Sequence, residues 1–487
     1  MNSARLVGLY SAGRIPRTRL RWGSIQRSLQ SRFYSDIHDV VVVGGGPAGL
    51  SLTTALRSSS VTSHLKVALI EGMDLGSSRG WEPVEGIYSN RVSSLTPGSV
   101  GFLTDIGAWH HVDRARVQPY NAMKVWDGVS GTNIDFNWDA PNSPYTATAT
   151  SGTIAYMTEN INLTHGLISR LDKLGGVEVL DKMKVEGITN GIDDGEVDLS
   201  SWPVVEVSGG RRLIARLLVG ADGANSPVRR WAEVESRGWD YGKMGVVATL
   251  QLQGSGVERQ KTAYQRFLPT GPVAFLPLPG DFATLVWSTT PKQAAQLKSL
   301  PPAKLVALVN AAFRLSHVDL QYYESEAPAD LADDIAWREN DTPVDESRVP
   351  PRVIGVQDGS VAAFPLKMRH ADTYIAERVA LVGDAAHTIH PLAGQGLNQG
   401  IGDTQSLMRA IEHAVLHGQD IGAVLSLEKY VSERYASNHI LLGVVDKLHK
   451  LYGTDAAPVV ALRSVGLGIV NRLGPLKGFF MTQAAGI

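Results

Sequence analysis

The chain has 487 residues, which at roughly 100–200 residues per domain predicts two to four structural units. Its 43% hydrophobic and 19% charged content is typical of a globular protein. Cysteine is absent, which excludes disulfides, a thiolate nucleophile, iron–sulfur ligation and cysteine-based zinc sites. The net charge is −2, and residues 36–487 hold 39 basic against 48 acidic residues, so we expect no nucleic-acid partner.

An arginine-rich segment begins the chain. Residues 1–35 contain seven arginines, six serines and no acidic residue, a composition typical of a mitochondrial transit peptide. We therefore assign residues 1–34 as a transit peptide, with a disordered basic arm as the alternative. No later stretch reaches the ~18 consecutive apolar residues that a bilayer span needs. We expect a soluble or peripheral mitochondrial matrix protein.

A glycine loop lies between a predicted strand at 39–43 and a predicted helix at 50–56. Gly44 would permit a tight turn, Gly46 would let a pyrophosphate approach the backbone, and Gly49 would let helix and strand pack closely. The loop residues are Gly44, Gly46, Pro47, Ala48 and Gly49. The free N–H groups at the start of the helix favour phosphate, so the loop predicts a dinucleotide site.

A second predicted strand, residues 65–70, ends at Glu71. This acid follows Gly49 by 22 residues, near the distance at which such an acid binds ribose hydroxyls. A purely structural glycine turn is the alternative reading of the loop, and the strand and the acid together favour dinucleotide binding.

Two further strand-to-turn junctions follow later in the chain. Residues 217–220 lead to Asp222 and Gly223, and residues 378–382 lead to Gly383 and Asp384. Each aspartate alone could merely cap a helix. The junctions lie more than 150 residues apart, which predicts one discontinuous domain. Alternating segments between them, at 246–253, 273–278 and 283–288, predict half-buried strands.

Two segments outside these junctions have open interpretations. Residues 317–347 carry ten acids and one arginine, and we expect a solvated insertion, with a protein-docking segment as the alternative. Near the C-terminus an apolar repeat predicts an amphipathic helix. Its members are Val459, Leu462, Val465, Ile469 and Leu473, with Arg463 and Arg472 on other faces. This helix either packs on the core or docks on a membrane or partner protein.

In their order, the glycine loop, the Asp222-Gly223 turn and the Gly383-Asp384 strand end resemble the flavoprotein aromatic hydroxylases. The resemblance covers nearly the whole chain after residue 35, and in that family these motifs enclose one FAD. Residues Val92 to Leu103 predict a helix, and the resemblance implies that Arg91, just before it, lies against the FAD phosphates, although an ordinary surface arginine is the alternative. It also implies that Asp384 accepts hydrogen bonds from ribityl or ribose hydroxyls.

The segment after Asp384 completes the expected flavin site. By the same resemblance, Pro391, Gly394 and Gly396 line the flavin ring. Backbone N–H groups of Gly396, Leu397 and Asn398 begin a helix whose dipole favours the negative charge of reduced flavin. His387 and His390 are spaced like metal ligands, but they lie inside the flavin motif, and we assign no metal site.

The implied fold is α/β, a discontinuous Rossmann-type FAD domain with an inserted, mostly antiparallel β-sheet substrate domain and a helical C-terminal tail. The FAD domain is assigned to residues 36–110, 150–235 and 370–430, the sheet domain to 111–149 and 236–369 with the acidic insertion, and the tail to 431–487.

Within the family, residues 266–278, 285–288 and 390–398 resemble the ubiquinone-biosynthesis hydroxylases, and the transit peptide suits their mitochondrial branch. The resemblance implies an FAD-dependent monooxygenase that hydroxylates C5 of a polyprenylated 4-hydroxybenzoate through a flavin C4a-hydroperoxide. A second ring-modification step is left open, and no protein side chain is assigned as catalytic. The alternatives are another FAD monooxygenase or prenyl-chain reductase of this fold, or a non-catalytic flavoprotein scaffold.

The resemblance also implies partners. These are O₂, a ferredoxin with its reductase or NAD(P)H as electron donor, and other coenzyme Q biosynthesis proteins in a complex. An insoluble prenylated substrate implies peripheral contact with the matrix side of the inner membrane.

Overall fold

A computed structural model describes residues 36–138, 152–254, 261–326, 328, 330–389 and 396–472. The transit-peptide assignment at 1–34 and the predicted ring-lining residues Pro391 and Gly394 lie outside the described residues.

An eight-stranded sheet contains the three predicted junctions. Its strands are β1 (Ile37–Val43), β2 (Val67–Ile70), β8 (Val177–Leu180), β9 (Val185–Asn190), β10 (Pro203–Val207), β11 (Arg211–Gly220), β18 (Ile375–Ala376) and β19 (Val379–Leu381). The order is β18-β19-β11-β1-β2-β8, with β10 and β9 continuing from β11. β1 pairs parallel with β2, β2 with β8, and β11 with β19. The glycine loop and both aspartate turns follow the neighbouring strands β1, β11 and β19, so the junctions meet at one edge of the sheet.

Helices cover this sheet because their apolar faces match its β-branched strands. They include α1 (Pro47–Ser58), α4 (Asn160–Leu174) and α10 (Gly396–Leu416), and α1 packs on both of the others. Val40 to Val43 of β1 and Leu217 to Val219 of β11 share one core with these helices. The remaining helices up to residue 231 are α2 (Gly76–Arg79), α3 (Pro97–Asp105) and α5 (Pro227–Trp231).

A nine-stranded sheet forms the inserted unit. Its strands are β5 (Ala122–Asp127), β6 (Asn133–Asn137), β12 (Ser236–Leu252), β13 (Thr262–Leu268), β14 (Gly271–Leu278), β15 (Phe282–Thr289), β16 (Val353–Val356), β17 (Ala362–Ala371) and β20 (His387–Thr388). The order is β20-β17-β12-β15-β14-β13-β5-β6, with β16 paired to β12. All these pairs are antiparallel except β13 with β5. The predicted fold class is therefore confirmed.

Helices α6 (Pro291–Ser299), α7 (Pro302–Arg314), α8 (His317–Glu326) and α9 (Leu331–Asp341) pack on the second sheet. The acidic insertion thus contains two helices, which bury Leu320, Tyr323 and Ile335 in this core. Its single arginine, Arg338, pairs with Asp319 at 2.6 Å, which offsets part of the acidic charge.

The predicted helix from Val92 to Leu103 is wrong at its start. Residues Val92–Leu95 form strand β3, which pairs antiparallel with β7 (Ala155–Glu159), and β7 also pairs with β4 (Val117–Tyr120). Helix α3 begins only at Pro97, after Thr96, whose side chain accepts a hydrogen bond from Ser99 N. A threonine cap followed by proline is a local start signal for a helix, whereas strand pairing depends on residues 61 to 67 positions away.

Two helices end the described chain, α11 (Val424–Tyr452) and α12 (Ala457–Arg472). The amphipathic pattern predicts Arg463 on a face other than that of the apolar repeat, and the structure shows that this side chain is fully buried against Asp127 at the end of β5. Nε and Nη2 donate to the two carboxylate oxygens at 2.8 and 2.9 Å, and Nη1 donates to Leu451 O and Thr454 O. Burial alone would raise the pKa of Asp127, but Arg463, together with hydrogen bonds from Val129 N and Ser130, outweighs burial and lowers this pKa. Among the described residues no helix is both long and apolar enough to cross a bilayer.

Replacing Arg463 with glutamine should lower the free energy of unfolding by about 3–5 kcal/mol, since it leaves the Asp127 carboxylate buried without its charge partner. Chemical denaturation followed by circular dichroism measures the change, and limited proteolysis between α11 and α12 should become faster. Arg409→Gln is the matched control, because that side chain is 55% exposed in its pair with Glu433. Equal behaviour of the two variants would show that the buried pair does not hold α12.

Candidate dinucleotide and flavin site

The glycine loop has the local geometry that its spacing predicts. Gly44 has a φ of +110°, and a Cβ there would lie 2.2 Å from Ala221 O, so only glycine lets β11 approach. A Cβ on Gly49 would lie 1.9 Å from Gly44 O. Around Gly46, in contrast, nothing lies within 4 Å of such a Cβ. Two glycines therefore serve close packing, and the third leaves an open face at the N-terminus of α1.

Glu71 ties the loop to the end of β2. Its carboxylate accepts hydrogen bonds from Gly45 N at 2.5 Å and from Met73 N at 2.6 Å. Glu71 also lines a cavity of about 390 Å³ together with Gly44 and Asp222. The carboxylate is thus held at the cavity where the sequence predicts a ribose, and its contact with a ribose stays a prediction.

Asp222 has an unsatisfied oxygen. Its Oδ2 accepts a hydrogen bond from Val228 N at 3.2 Å, while Oδ1 is buried and has no hydrogen-bond partner. Burial raises the pKa of Asp222. Gly223 follows with a φ of +81° and open space around its Cβ position. A buried carboxylate oxygen without a donor costs free energy, and a hydroxyl-rich ligand in the neighbouring cavity would supply one.

Asp384 lies in a second, larger cavity of about 770 Å³. Its side chain is open to the cavity although protein surrounds it, and this desolvation raises the pKa of Asp384 while His387 opposes the rise. The wall also includes Gly223, Gly396 and Leu397. Gly46 and Ala221 line both this cavity and the smaller one, so the two are neighbours across the glycine loop.

The sequence-predicted residues separate into three groups. Those that line one of the two cavities are Gly44, Gly46, Pro47, Ala48, Glu71, Asp222, Gly223, Gly383, Asp384, Gly396 and Leu397. Gly49 serves packing, and the side chain of Asn398 is directed to Thr96 N, Ser99 Oγ and Ser94 O. Arg91 is exposed and lines neither cavity, although Val92 and Ser93 beside it line the larger one, so its phosphate contact stays a prediction.

Sequence reasoning missed the buried residues behind this wall. Asp403 of α10 is fully buried and accepts hydrogen bonds from four groups. These are Gly383 N at 3.1 Å, His387 Nε2 at 2.5 Å, Arg434 Nε at 2.9 Å and Asn438 Nδ2 at 3.0 Å. Burial would raise the pKa of Asp403, but His387 and Arg434 outweigh it and lower the pKa to about 2. No local pattern marks Asp403, since its position on a helix resembles that of any other polar residue.

Arg229 of α5 was also missed. Its guanidinium donates from Nη1 to Ala385 O and from Nη2 to Ala224 O, both at 2.6 Å. It therefore clamps the turn after β11 to the turn after β19, although 156 residues separate it from Ala385. This clamp sets the distance between the two aspartate turns.

The described residues fit FAD. The open face at Gly46 suits a pyrophosphate, the unpaired Oδ1 of Asp222 lacks a donor, and Asp384 faces a cavity next to the start of α10. No group of three or more His, Asp or Glu within the described ranges is arranged to hold a metal ion.

Comparison with known proteins agrees with this assignment. The family model described as FAD binding domain matches residues 38–441. The mitochondrial ubiquinone biosynthesis monooxygenase COQ6 of Saccharomyces cerevisiae is 42% identical, over 92% of this chain and 94% of the yeast protein. The human protein of that name is 38% identical, over 92% of each chain.

Solved structures share the fold. The p-nitrophenol 4-monooxygenase PnpA of Pseudomonas putida superposes with a TM-score of 0.64 at 19% identity, over 92% of this chain and 98% of PnpA. PqsL, a probable FAD-dependent monooxygenase of Pseudomonas aeruginosa, superposes with a TM-score of 0.62 at 20% identity, over 89% of this chain and all of PqsL.

The glycine loop allows a paired test. Gly46→Ala should leave the stability of the FAD-free protein unchanged but reduce the FAD retained on purification, because the added methyl group occupies the phosphate face. Gly49→Ala should instead lower the unfolding free energy of the FAD-free protein by about 1–3 kcal/mol or more, because its methyl overlaps Gly44 O. Flavin absorbance per protein and thermal melting measure the two effects. A Gly46→Ala protein with full FAD content would contradict the phosphate assignment.

Proposed function

Because this chain belongs to the FAD-binding-domain family and, within it, to the ubiquinone biosynthesis monooxygenases, we propose that it hydroxylates a polyprenylated ubiquinone precursor on its aromatic ring. The chain is an FAD-dependent monooxygenase, and bound FAD would pass electrons from an external donor to O₂ and supply the oxygen-transferring centre. The position modified is C5 of a polyprenylated 4-hydroxybenzoate. A second modification step on the same ring is left open.

The observation that carries the proposal is the larger cavity, which lies between the two sheets. One wall comes from the FAD domain through Gly46, Asp384 and Gly396, and the opposite wall comes from β17. A ring substrate that contacts β17 would thus lie beside the part of the cavity that suits the flavin. The cavity is within the size range of small-molecule sites.

Each wall has a separate role in the proposed reaction. The N-terminus of α1 would hold the pyrophosphate, Glu71 a ribose hydroxyl, and Asp384 the ribityl chain or a ribose. The N-terminal dipole of α10 would favour negative charge on the ring of the cofactor. Leu366 and Ile389 line the cavity with apolar side chains, which would help to exclude water from the reaction.

The side chains of the β17 wall also support a hydroxybenzoate as the substrate. Lys367 and Arg369 line it, and Lys367 pairs only loosely with Asp240, at 3.8 Å. Their positive charge suits the carboxylate of a hydroxybenzoate, and the exposed Phe364 in the same wall suits the ring. We assign no side chain as the base that removes the phenol proton.

Electrons come from a ferredoxin with its reductase, or from NAD(P)H, and the protein works with other coenzyme Q biosynthesis proteins. The motifs bear on the donor, since the chain has one glycine fingerprint with its strand and ribose acid and no second one, so NAD(P)H would bind transiently rather than in a Rossmann domain of its own.

A peripheral contact with the matrix side of the inner membrane would deliver the prenylated substrate. Apolar side chains on the last two helices support it. On α11, Ile440, Val444 and Leu448 are exposed at four-residue steps, and on α12 Leu462 and Val465 are 71% and 61% exposed. Such exposed stripes are typical of interfacial helices.

A strain lacking this protein should accumulate a prenylated 4-hydroxybenzoate without the C5 hydroxyl, and lipid profiling measures this. The wild-type chain should restore the quinone, whereas Asp384→Ala should not, because the cavity loses its carboxylate. Asp372→Ala is the control, since that side chain pairs with the exposed Arg237. Normal quinone in the deletion strain would refute the proposal, and purified protein whose flavin neither bleaches with a reductant nor reoxidises in air would favour the scaffold alternative.

The double variant Leu462→Ser/Val465→Ser should bind phospholipid vesicles at least about tenfold more weakly, since each apolar side chain contributes up to about 1.5–3 kcal/mol when it leaves water. Vesicle co-sedimentation of the FAD-bound protein measures this. Ile354→Ser is the matched control, because Ile354 is 56% exposed on β16. Vesicle binding that is unchanged in the double variant would remove the last helices from the membrane contact.

A further inference from the structure

A third cavity, of about 500 Å³, lies in the inserted unit and shares no lining residue with the two FAD-domain cavities. It is bounded by the turn between β5 and β6, the end of α7 and the segment 344–349. The proposed hydroxylation does not use it.

Two buried arginines line this cavity, and the protein supplies hydrogen-bond acceptors for only some of their N–H groups. Arg266 and Arg314 are only 5% and 6% exposed. Arg266 donates to Ala312 O and Gly128 O, and Arg314 donates to Pro350 O and to the half-exposed Glu346. Nε of both residues and Nη1 of Arg314 are buried and have no hydrogen-bond partner. Unpaired buried donors on a charged group are costly, so an arrangement that keeps them calls for a functional reason.

The one acid near Arg266 is already paired. Asp127 makes a two-bond ion pair with Arg463, so it is shared between two cations. Burial accordingly lowers the pKa of Arg266 to about 10 despite Asp127, and burial also lowers the pKa of Arg314. Both shifts have the sign expected of cations that lack sufficient counter-charge.

The remaining lining adds positive charge and apolar surface. Lys124 and the exposed Arg348 lie on the wall, against the exposed acids Asp135 and Asp345. Trp126 and Phe313, whose ring centres are 6.1 Å apart, supply an aromatic side. A cationic cavity with an aromatic wall is unexpected in a chain whose acids outnumber its bases after residue 35.

We propose that this cavity binds a small organic oxyanion, a carboxylate or phosphate carried by an apolar or aromatic group. Its charge would lie beside Arg266 and Arg314, and its apolar part would contact Trp126 and Phe313. Arg348 holds the ligand from the open side. Because Gly128, which accepts from Arg266, follows Asp127, an occupied cavity also stabilises the turn that anchors α12.

The test uses the FAD-bound full chain, with benzoate and inorganic phosphate as separate calorimetric probes. Benzoate should bind without changing the flavin absorption, which separates this site from the flavin cavity. Arg348→Ala should weaken binding about threefold, and Arg314→Gln should weaken it at least about tenfold. Arg212→Ala, an exposed arginine on β11, should bind like the wild type.

The two probes distinguish the ligand's source. Tighter benzoate binding identifies an organic carboxylate, and tighter phosphate binding identifies a phosphate ester. Arg348 has an exposed side chain, so Arg348→Ala tests the site even if Arg314→Gln fails to fold. The proposal is overturned if neither probe binds, or if Arg348→Ala binds both probes like the wild type. These outcomes do not depend on turnover, so they are separable from failure of the proposed hydroxylation.

Discussion

The flavin domain depends on one buried carboxylate. Asp403 accepts hydrogen bonds from the backbone of Gly383, from His387, and from Arg434 and Asn438 of α11. An ionised group without access to water is tolerable only when its lone pairs are filled by donors, two of them cationic or able to be so. Because those donors come from the turn after β19, from β20 and from α11, satisfying Asp403 places all three. The cavity wall that carries Asp384 is therefore held from behind.

Asp222 and Asp384, which face the cavities, differ from Asp403 in their hydrogen bonding. Asp403 is saturated with donors, whereas Asp222 keeps one oxygen unpaired and Asp384 opens into the larger cavity. Burial raises the pKa of both, while donors lower the pKa of Asp403. The same residue type thus serves structure where its partners belong to the protein, and it would serve binding, as proposed for Asp222 and Asp384, where the protein does not satisfy it.

The sequence predicted those backbone features of the site that depend only on residues a few positions apart. The turn at Gly44, the close packing at Gly49 and the start of a helix at Gly396 follow from spacing within a few residues, and the structure has each of them. The helix expected from Val92 was wrong, since residues 92–95 pair with β7, and no periodicity within so short a segment encodes a distant strand. The burial of Arg463 was not foreseen for a similar reason, because an amphipathic pattern cannot reveal a buried partner.

The sequence by itself indicated the cofactor class and the α/β architecture, because three short motifs in their order resemble the flavoprotein aromatic hydroxylases. Only the tertiary structure decided which charges are buried together. Arg463 meets Asp127 across 336 positions, Arg229 meets Ala385 across 156, and Arg266 and Arg314 line one cavity. The physical reason is that burial and pairing depend on which surfaces the folded chain brings into contact. The neighbours of a residue along the chain indicate its backbone conformation. They do not indicate whether its side chain is buried or which partner it contacts.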